Sequence, residues 1–173
     1  MARLFHFSED PSIRVFTPHV PVTNPTQPPS VWAIDEAHSP LYWFPRDCPR
    51  ATAWPRTEGE RADFRRAFET SSERVHAVEA AWRGRMVACV LYRYEFEPAP
   101  FRPWAEASGQ YVSSDAVEPL AIEPVGDLLA LHAAAGIELR FVPNLWPVID
   151  LVVAGPWDFS IVRTHLAAPR AAF

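Results

Sequence analysis

The sequence contains no lysine, only two cysteines and only six glycines among its 173 residues. All sixteen cationic side chains are therefore arginine. Arginine recognises planar anions through a rigid fork, and GC-rich coding produces the same bias, as the many alanines and prolines attest. Cys48 and Cys89 stand far apart, and no C-x-x-C pair occurs. A structural zinc site has no support on this spacing, and both cysteines read as small core residues. No apolar run approaches the ~20 residues of a membrane helix. Glu9 and Asp10 interrupt the stretch where a signal peptide needs an apolar core. The expectation is a cytoplasmic protein with no membrane partner. The formal net charge is −5, and no basic stripe runs along the chain, so a nucleic-acid partner is disfavoured.

What is present is a rich apolar content. Hydrophobic residues make up 49% of the chain and charged residues 21%, enough to exclude disorder. A chain of this length reads as a single globular domain over residues 1–173. Arginines gather in residues 46–102 and acids in 103–173, so the middle segment could face an anionic ligand.

Residues 3–7, RLFHF, read as a short strand ended by SEDP. A proline-rich loop follows over 17–30. VWAID, 31–35, is a buried-looking strand, and EAHSPLYWF reads as a short helix opened by Asp35. RATAW, 50–54, is a further strand. T-E-G-E at Thr57 is a capping box, placing a helix over 58–69. Residues 74–86 read as a strand followed by a helical turn. The alternation in VACVLYRYEF predicts a strand over 87–96. QYVSS at 110–114 is another strand. A helix at 125–135 ends on a glycine, IELRFV forms a strand at 137–142, and 144–154 is a helix capped by Asn144. FSIVRTHL, 159–166, is the last strand. Irregular alternation of short strands and helices predicts an α+β fold with a mixed or antiparallel split sheet.

Three constellations could carry chemistry. His6 and Ser8 share one face of a strand beside Phe5 and Phe7. Trp32, Tyr42 and Trp43 lie near Asp35, Glu36, His38, Arg46 and Asp47, and rings with polar tips suit a flat ligand. Tyr111, Ser113, Ser114, Asp115 and Glu118 follow a glycine-containing loop and offer paired acids. No G-x-G-x-x-G, P-loop, G-x-S-x-G or H-E-x-x-H occurs, so none of the sites those motifs mark is expected. His6, His38, Asp35 and Asp47 remain open as ligands of a metal assembled in three dimensions, although no metal is expected.

LFHFSEDPSIRVFTP, VWAIDEAHSPLYWFPRDCPR, LYRYEFEPAPF and QYVSSDAVEPL together resemble a family of small bacterial proteins of unknown function. The order of the first blocks is also similar to ADP-ribosyltransferase-like folds, including the small rifampin-modifying type. That resemblance implies NAD as a substrate and a nucleotide or small-molecule partner. It implies that His6, with Ser8, holds a ribose and that Tyr42, with Trp43 as substitute, stacks on nicotinamide. It implies that Glu118, with Ser113 and Asp115 as rivals, assists bond opening. Trp32, Trp43, Arg46, Ser8 and Ser113 are then the expected ligand-binding residues. Phe7 stands where such folds carry glycine. A non-catalytic module binding a nucleotide or small aromatic ligand is the alternative.

Overall fold

The computed structural model describes residues 3–21 and 25–170. Part of the proline-rich loop expected at 17–30 lies outside the described residues. Elsewhere in that loop His19 and Ser30 form an isolated antiparallel bridge. The fold is α+β. The chain packs as two compact units, each assembled from two segments: residues 1–43 with 90–126, and residues 44–89 with 127–173. The chain crosses between them without a long polar linker, which is why composition alone reads as one domain.

The first unit is a six-stranded antiparallel sheet. Its strands are β1 (Leu4–Ser8), β2 (Val31–Asp35), β5 (Tyr92–Phe96), β6 (Arg102–Pro103), β7 (Gln110–Ser113) and β8 (Ala121–Pro124). Their order is β6-β7-β2-β1-β5-β8. Alternation along β1 sends Leu4 and His6 to one face and Phe5 and Phe7 to the other. Leu4, Val31, Ala33 and Phe96 pack on the first face with Val117 and Phe16. Phe16 and Val117 exchange main-chain hydrogen bonds of 2.8 and 2.9 Å, tying a loop across that face. The ring of Phe16 meets Tyr94 and Phe96 edge-on at 5.1 and 5.0 Å. On the second face Phe5 is fully buried, with the guanidinium groups of Arg3 and Arg93 5.1 and 4.8 Å from its ring centre.

β5 is shorter than its alternation predicts. It begins at Tyr92, because its partner β1 ends at Ser8 in register with that residue. Ser8 Oγ there accepts from the Asp10 amide and Asp10 from the Ser12 amide, turning the chain. Residues 83–88 form a helix instead, and Val87 and Val90 are exposed. The helix expected over 36–44 is only a 3-10 turn, Ser39–Tyr42. Pro40 opens that turn and Pro45 follows it closely, so a full α-turn has no room.

The second unit holds a four-stranded sheet of β3 (Arg50–Trp54), β4 (Val75–Glu79), β9 (Glu138–Val142) and β10 (Asp158–Val162), ordered β10-β3-β4-β9. Only β4 and β9 run parallel. β10 stops at Val162 because Arg163 turns into the left-handed region, φ 60°, ahead of a 3-10 turn. Four helices complete the unit: α1 (Glu58–Ala67), α2 (Arg83–Ala88), α3 (Leu128–Ala134) and α4 (Trp146–Ala154). Thr57 Oγ1 accepts from the Glu60 amide, as the capping box requires, and Asp127 caps α3. Asn144 Oδ1 accepts from the Trp146 amide at the start of α4.

Ala51, Ala53, Val75 and Ala77 form a smooth face on β3 and β4. Phe64, Phe68, Leu145, Ile149, Val152 and Trp157 fill the space above it. Each of the large side chains contributes roughly 1.5–3 kcal/mol by leaving water. The opposite face carries buried polar groups, Arg50, Thr52 and His76, beside Val78. His132 Nδ1 lies 2.7 Å from the Leu128 carbonyl, which can only accept, so Nδ1 carries the proton. His132 Nε2 therefore accepts from His76 Nδ1 at 3.1 Å. His76 Nε2 is left as a buried lone pair with no hydrogen-bond partner. Burial first, then His132 and the cations Arg74 and Arg50, hold His76 well below the usual imidazole range. Burial also lowers His132, opposed by its bond to Leu128.

Below pH 6.5 the unfolded chain binds protons that the folded pair refuses, so the stability present above pH 6.5 is lost as pH falls. For each imidazole that stays neutral the loss approaches about 1.4 kcal/mol per pH unit. Urea unfolding at pH 7.5, 6.5 and 5.5 should show this decline. His76→Gln, which can still donate to His132 but cannot titrate, should flatten it.

Candidate functional site

The site begins with a parting of two central strands. β1 and β2 stay in register only at Leu4 with Asp35 and Phe5 with Ile34. One residue further on, His6 Nδ1 takes over the ladder and donates to the Trp32 carbonyl at 3.1 Å. That bond fixes the tautomer and places the lone pair of the neutral ring on Nε2. The imidazole leans on Phe16, with ring centres 4.8 Å apart. On the other face of β1 the Phe7 ring lies parallel to Tyr42, within 9° and 6.3 Å between centres.

A cavity of about 40 Å³ opens at the parting, lined by Phe5, His6, Phe7, Trp32, Ala33, Ile34 and Tyr42. Its walls are mostly apolar, and His6, Trp32 and Tyr42 are the lining residues that carry polar side-chain atoms. Trp32 Nε1 is buried and has no acceptor. An orphaned buried donor costs about 1–3 kcal/mol, so its retention asks for an explanation. The edge of Trp104 packs against the Trp32 ring at 5.3 Å and holds it in place.

His6, Tyr42 and Trp32 line one cavity, although the residues alone put His6 in one constellation and Trp32 with Tyr42 in another. Glu118 lies elsewhere. It is exposed and lines an open groove of about 450 Å³ with Arg14, Val15 and residues 119–122. Ser8 and Ser113 close turns: Ser113 Oγ accepts from the Asp115 amide at 3.1 Å, much as Ser8 does for Asp10. Trp43 is half-buried and ends the 3-10 turn, its amide donating to Pro40. Arg46 is exposed and belongs to the second unit. No carboxylate lines the cavity. Among the described residues no group of three His, Cys, Asp or Glu side chains is placed to hold a metal ion. Burial pushes the Cys48 thiol up to about 12, which leaves it a poor nucleophile.

A second arrangement lies in the same unit. His38 Nδ1 donates to Asp35 Oδ1 at 2.7 Å, and the His38 amide donates to the same oxygen at 2.8 Å. Ser39 Oγ donates to the Asp35 carbonyl at 2.8 Å. Gly109, at φ +75°, accepts from the Asp35 amide at 2.9 Å. A Cβ on Gly109 would fall 2.1 Å from His38 Nδ1, so only glycine lets the loop approach this ring. From the sequence Asp35 reads as a helix cap, and Asp35 with His38 as polar company for the aromatic constellation or as metal ligands. The D-x-x-H-S spacing carried the signal for an oriented imidazole, but Gly109 could not be connected to it from spacing.

Residues 5–167 match a protein family described as "Family of unknown function (DUF6886)". The chain belongs to that family. The match runs through β1, β2 and the parting between them, so the cavity lies within the family's own extent. No curated protein matches the chain, and no solved structure matches it. Among the described residues no helix is long and apolar enough to cross a membrane.

Gly109→Ala should cost at least about 2 kcal/mol, from the positive φ and the collision with His38 together. Adding His38→Ala should recover only the collision. A double-mutant cycle of urea-unfolding free energies will separate the two; simple additivity would show that Gly109 and His38 are not coupled.

Proposed function

We propose that the first unit is a binding module for a small flat aromatic ligand carrying a hydrogen-bond acceptor, with nicotinamide-type rings, free or within NAD, as the first candidates. The observation that carries this reading is a cavity lined by Trp32, whose buried indole N–H is unpaired, beside the parallel rings of Phe7 and Tyr42. Parallel rings present π-faces to a flat guest, and a single buried donor orients it. The closed cavity holds only a small group, so a ring enters by spreading Tyr42 away from Phe7. Tyr42 sits at the end of a one-turn helix, which permits that movement with little loss of packing.

Binding is favoured over NAD cleavage or ADP-ribosyl transfer by the placement of the acid. Opening a glycosidic bond calls for a carboxylate near the developing positive charge. Glu118 lines the groove with Arg14 instead of the cavity with His6.

A thermal-shift titration with nicotinamide and NAD tests the reading. Ligand at about 100 times its dissociation constant should add roughly 2.7 kcal/mol of stability. Trp32→Phe should abolish the shift while leaving the unliganded protein as stable or more so, because an orphaned donor is removed. Tyr42→Ala should abolish it as well. If millimolar nicotinamide, NAD and other flat acceptor-bearing rings produce no shift in the wild type, the proposal is wrong.

A further inference from the structure

Residues 168–170 are all exposed, yet hydrogen bonds hold them along their whole length. The Ala168 amide donates to both oxygens of Glu79, at 3.0 and 3.1 Å. Trp146 Nε1 donates to the Ala168 carbonyl at 2.9 Å, and Asn144 Nδ2 donates to the Pro169 carbonyl at 3.0 Å. Arg170 forks onto Asp150 with bonds of 2.7 and 2.9 Å, its guanidinium 4.7 Å from the centre of the Trp146 ring. Three side chains read the main chain of this strap, and one carboxylate with one indole reads a single side chain. That division of labour is how proteins recognise extended peptides: main-chain bonds supply affinity and a pocket supplies specificity. Pro169 has no amide to satisfy and stiffens the segment in an extended form.

The receiving surface is more firmly built than the strap. Glu79 is only 5% exposed and also accepts from the Leu145 amide, so its carboxylate is anchored in the fold whether or not the strap is present. Asp150 and Arg170 are each about half exposed, and such pairs contribute little to stability. Leaving costs the strap few apolar contacts, while the groove it leaves keeps a buried carboxylate and an indole N–H in need of main-chain partners.

We propose that Glu79, Asn144, Trp146 and Asp150 form a recognition groove for an extended Ala-Pro-Arg segment of a partner chain, and that the protein's own residues 168–170 are its resident occupant. The tethered tail competes at a high effective concentration, so a partner gains entry when the tail is loosened. The site is separate from the aromatic cavity and does not depend on the ligand proposed for it.

The test is a fluorescence-anisotropy titration of a labelled Leu-Ala-Ala-Pro-Arg-Ala peptide against the full chain. Arg170→Glu sets two anions against each other and should release the tail. This variant should bind the peptide about tenfold or more tighter than the wild type. Asp150→Arg alone sets two cations against each other and also frees the groove; it should bind a peptide with Glu in place of Arg and not the Arg peptide. A folded Arg170→Glu protein that binds no tighter than wild type, or binding indifferent to Asp150→Arg, overturns the proposal. Hydrogen exchange on the wild type covers the case in which the variant fails to fold. The Ala168 amide should exchange at least tenfold faster than the core amides of α4 after correction for intrinsic rates; equal protection means the strap never opens alone and also overturns the proposal.

Discussion

A single hydrogen bond, from the His6 ring to the Trp32 carbonyl, sets the shape of the first unit's centre. Two central strands of an antiparallel sheet would ordinarily stay zipped, each amide facing a carbonyl. Here a side chain takes the place of an amide, and the strands part while the carbonyl stays satisfied. The parting places Phe7, Trp32 and Tyr42 around open space instead of against one another. An apolar side chain at position 6 would leave that carbonyl without a donor, so His6 has an architectural reason to be there before any ligand is considered.

The same logic of donors and acceptors distinguishes two buried side-chain atoms left without partners among the described residues. The lone pair of His76 Nε2 ends a relay that begins at the Leu128 carbonyl, and its isolation follows from tautomers imposed two bonds away. It lies in a core closed by Phe44, whose ring stands 5.5 Å from His76 and 5.1 Å from His132. The Trp32 indole has no such upstream cause. Its residue lines a cavity, where a guest's acceptor could complete it. A residue orphaned by its neighbours is a structural cost; a residue orphaned beside empty space is a candidate contact.

Much of the fold was legible locally. RLFHF, VWAID and RATAW read as strands at 3–7, 31–35 and 50–54, and strands stand at Leu4–Ser8, Val31–Asp35 and Arg50–Trp54; T-x-x-E marks a helix start through a bond made within four residues. What failed depended on partners. The alternation in VACVLYRYEF continues past the point where β1 has turned away, and only pairing could reveal that. β8, spelled AIEP, went unnoticed because it is short and carries a glutamate and a proline, and because its place on an edge needs only one neighbour. The site divides the same way. His6 was joined to Tyr42 only by similarity of pattern, and Trp32 to Tyr42 by nearness in sequence, because the pairing of β1 with β2 has no local signal. Glu118 could be joined to them only by similarity of pattern, and the chain carries it to another groove. The Ala168–Arg170 strap had no local signature at all, since its recognition is written in side chains 20 to 89 residues away.

The two-segment construction of each unit has a consequence for how the protein is made. When the first ninety residues have left the ribosome, β1 and β2 exist without β5, β7 and β8, and β3 and β4 exist without β9 and β10. Neither sheet can close on what has been synthesised, and unpaired strand edges persist until the second half of the chain arrives. Contacts between distant residues form slowly, because a long loop must be closed before any of them is made. The nascent chain is therefore committed to waiting, and no contiguous fragment contains either unit complete without also carrying a segment of the other.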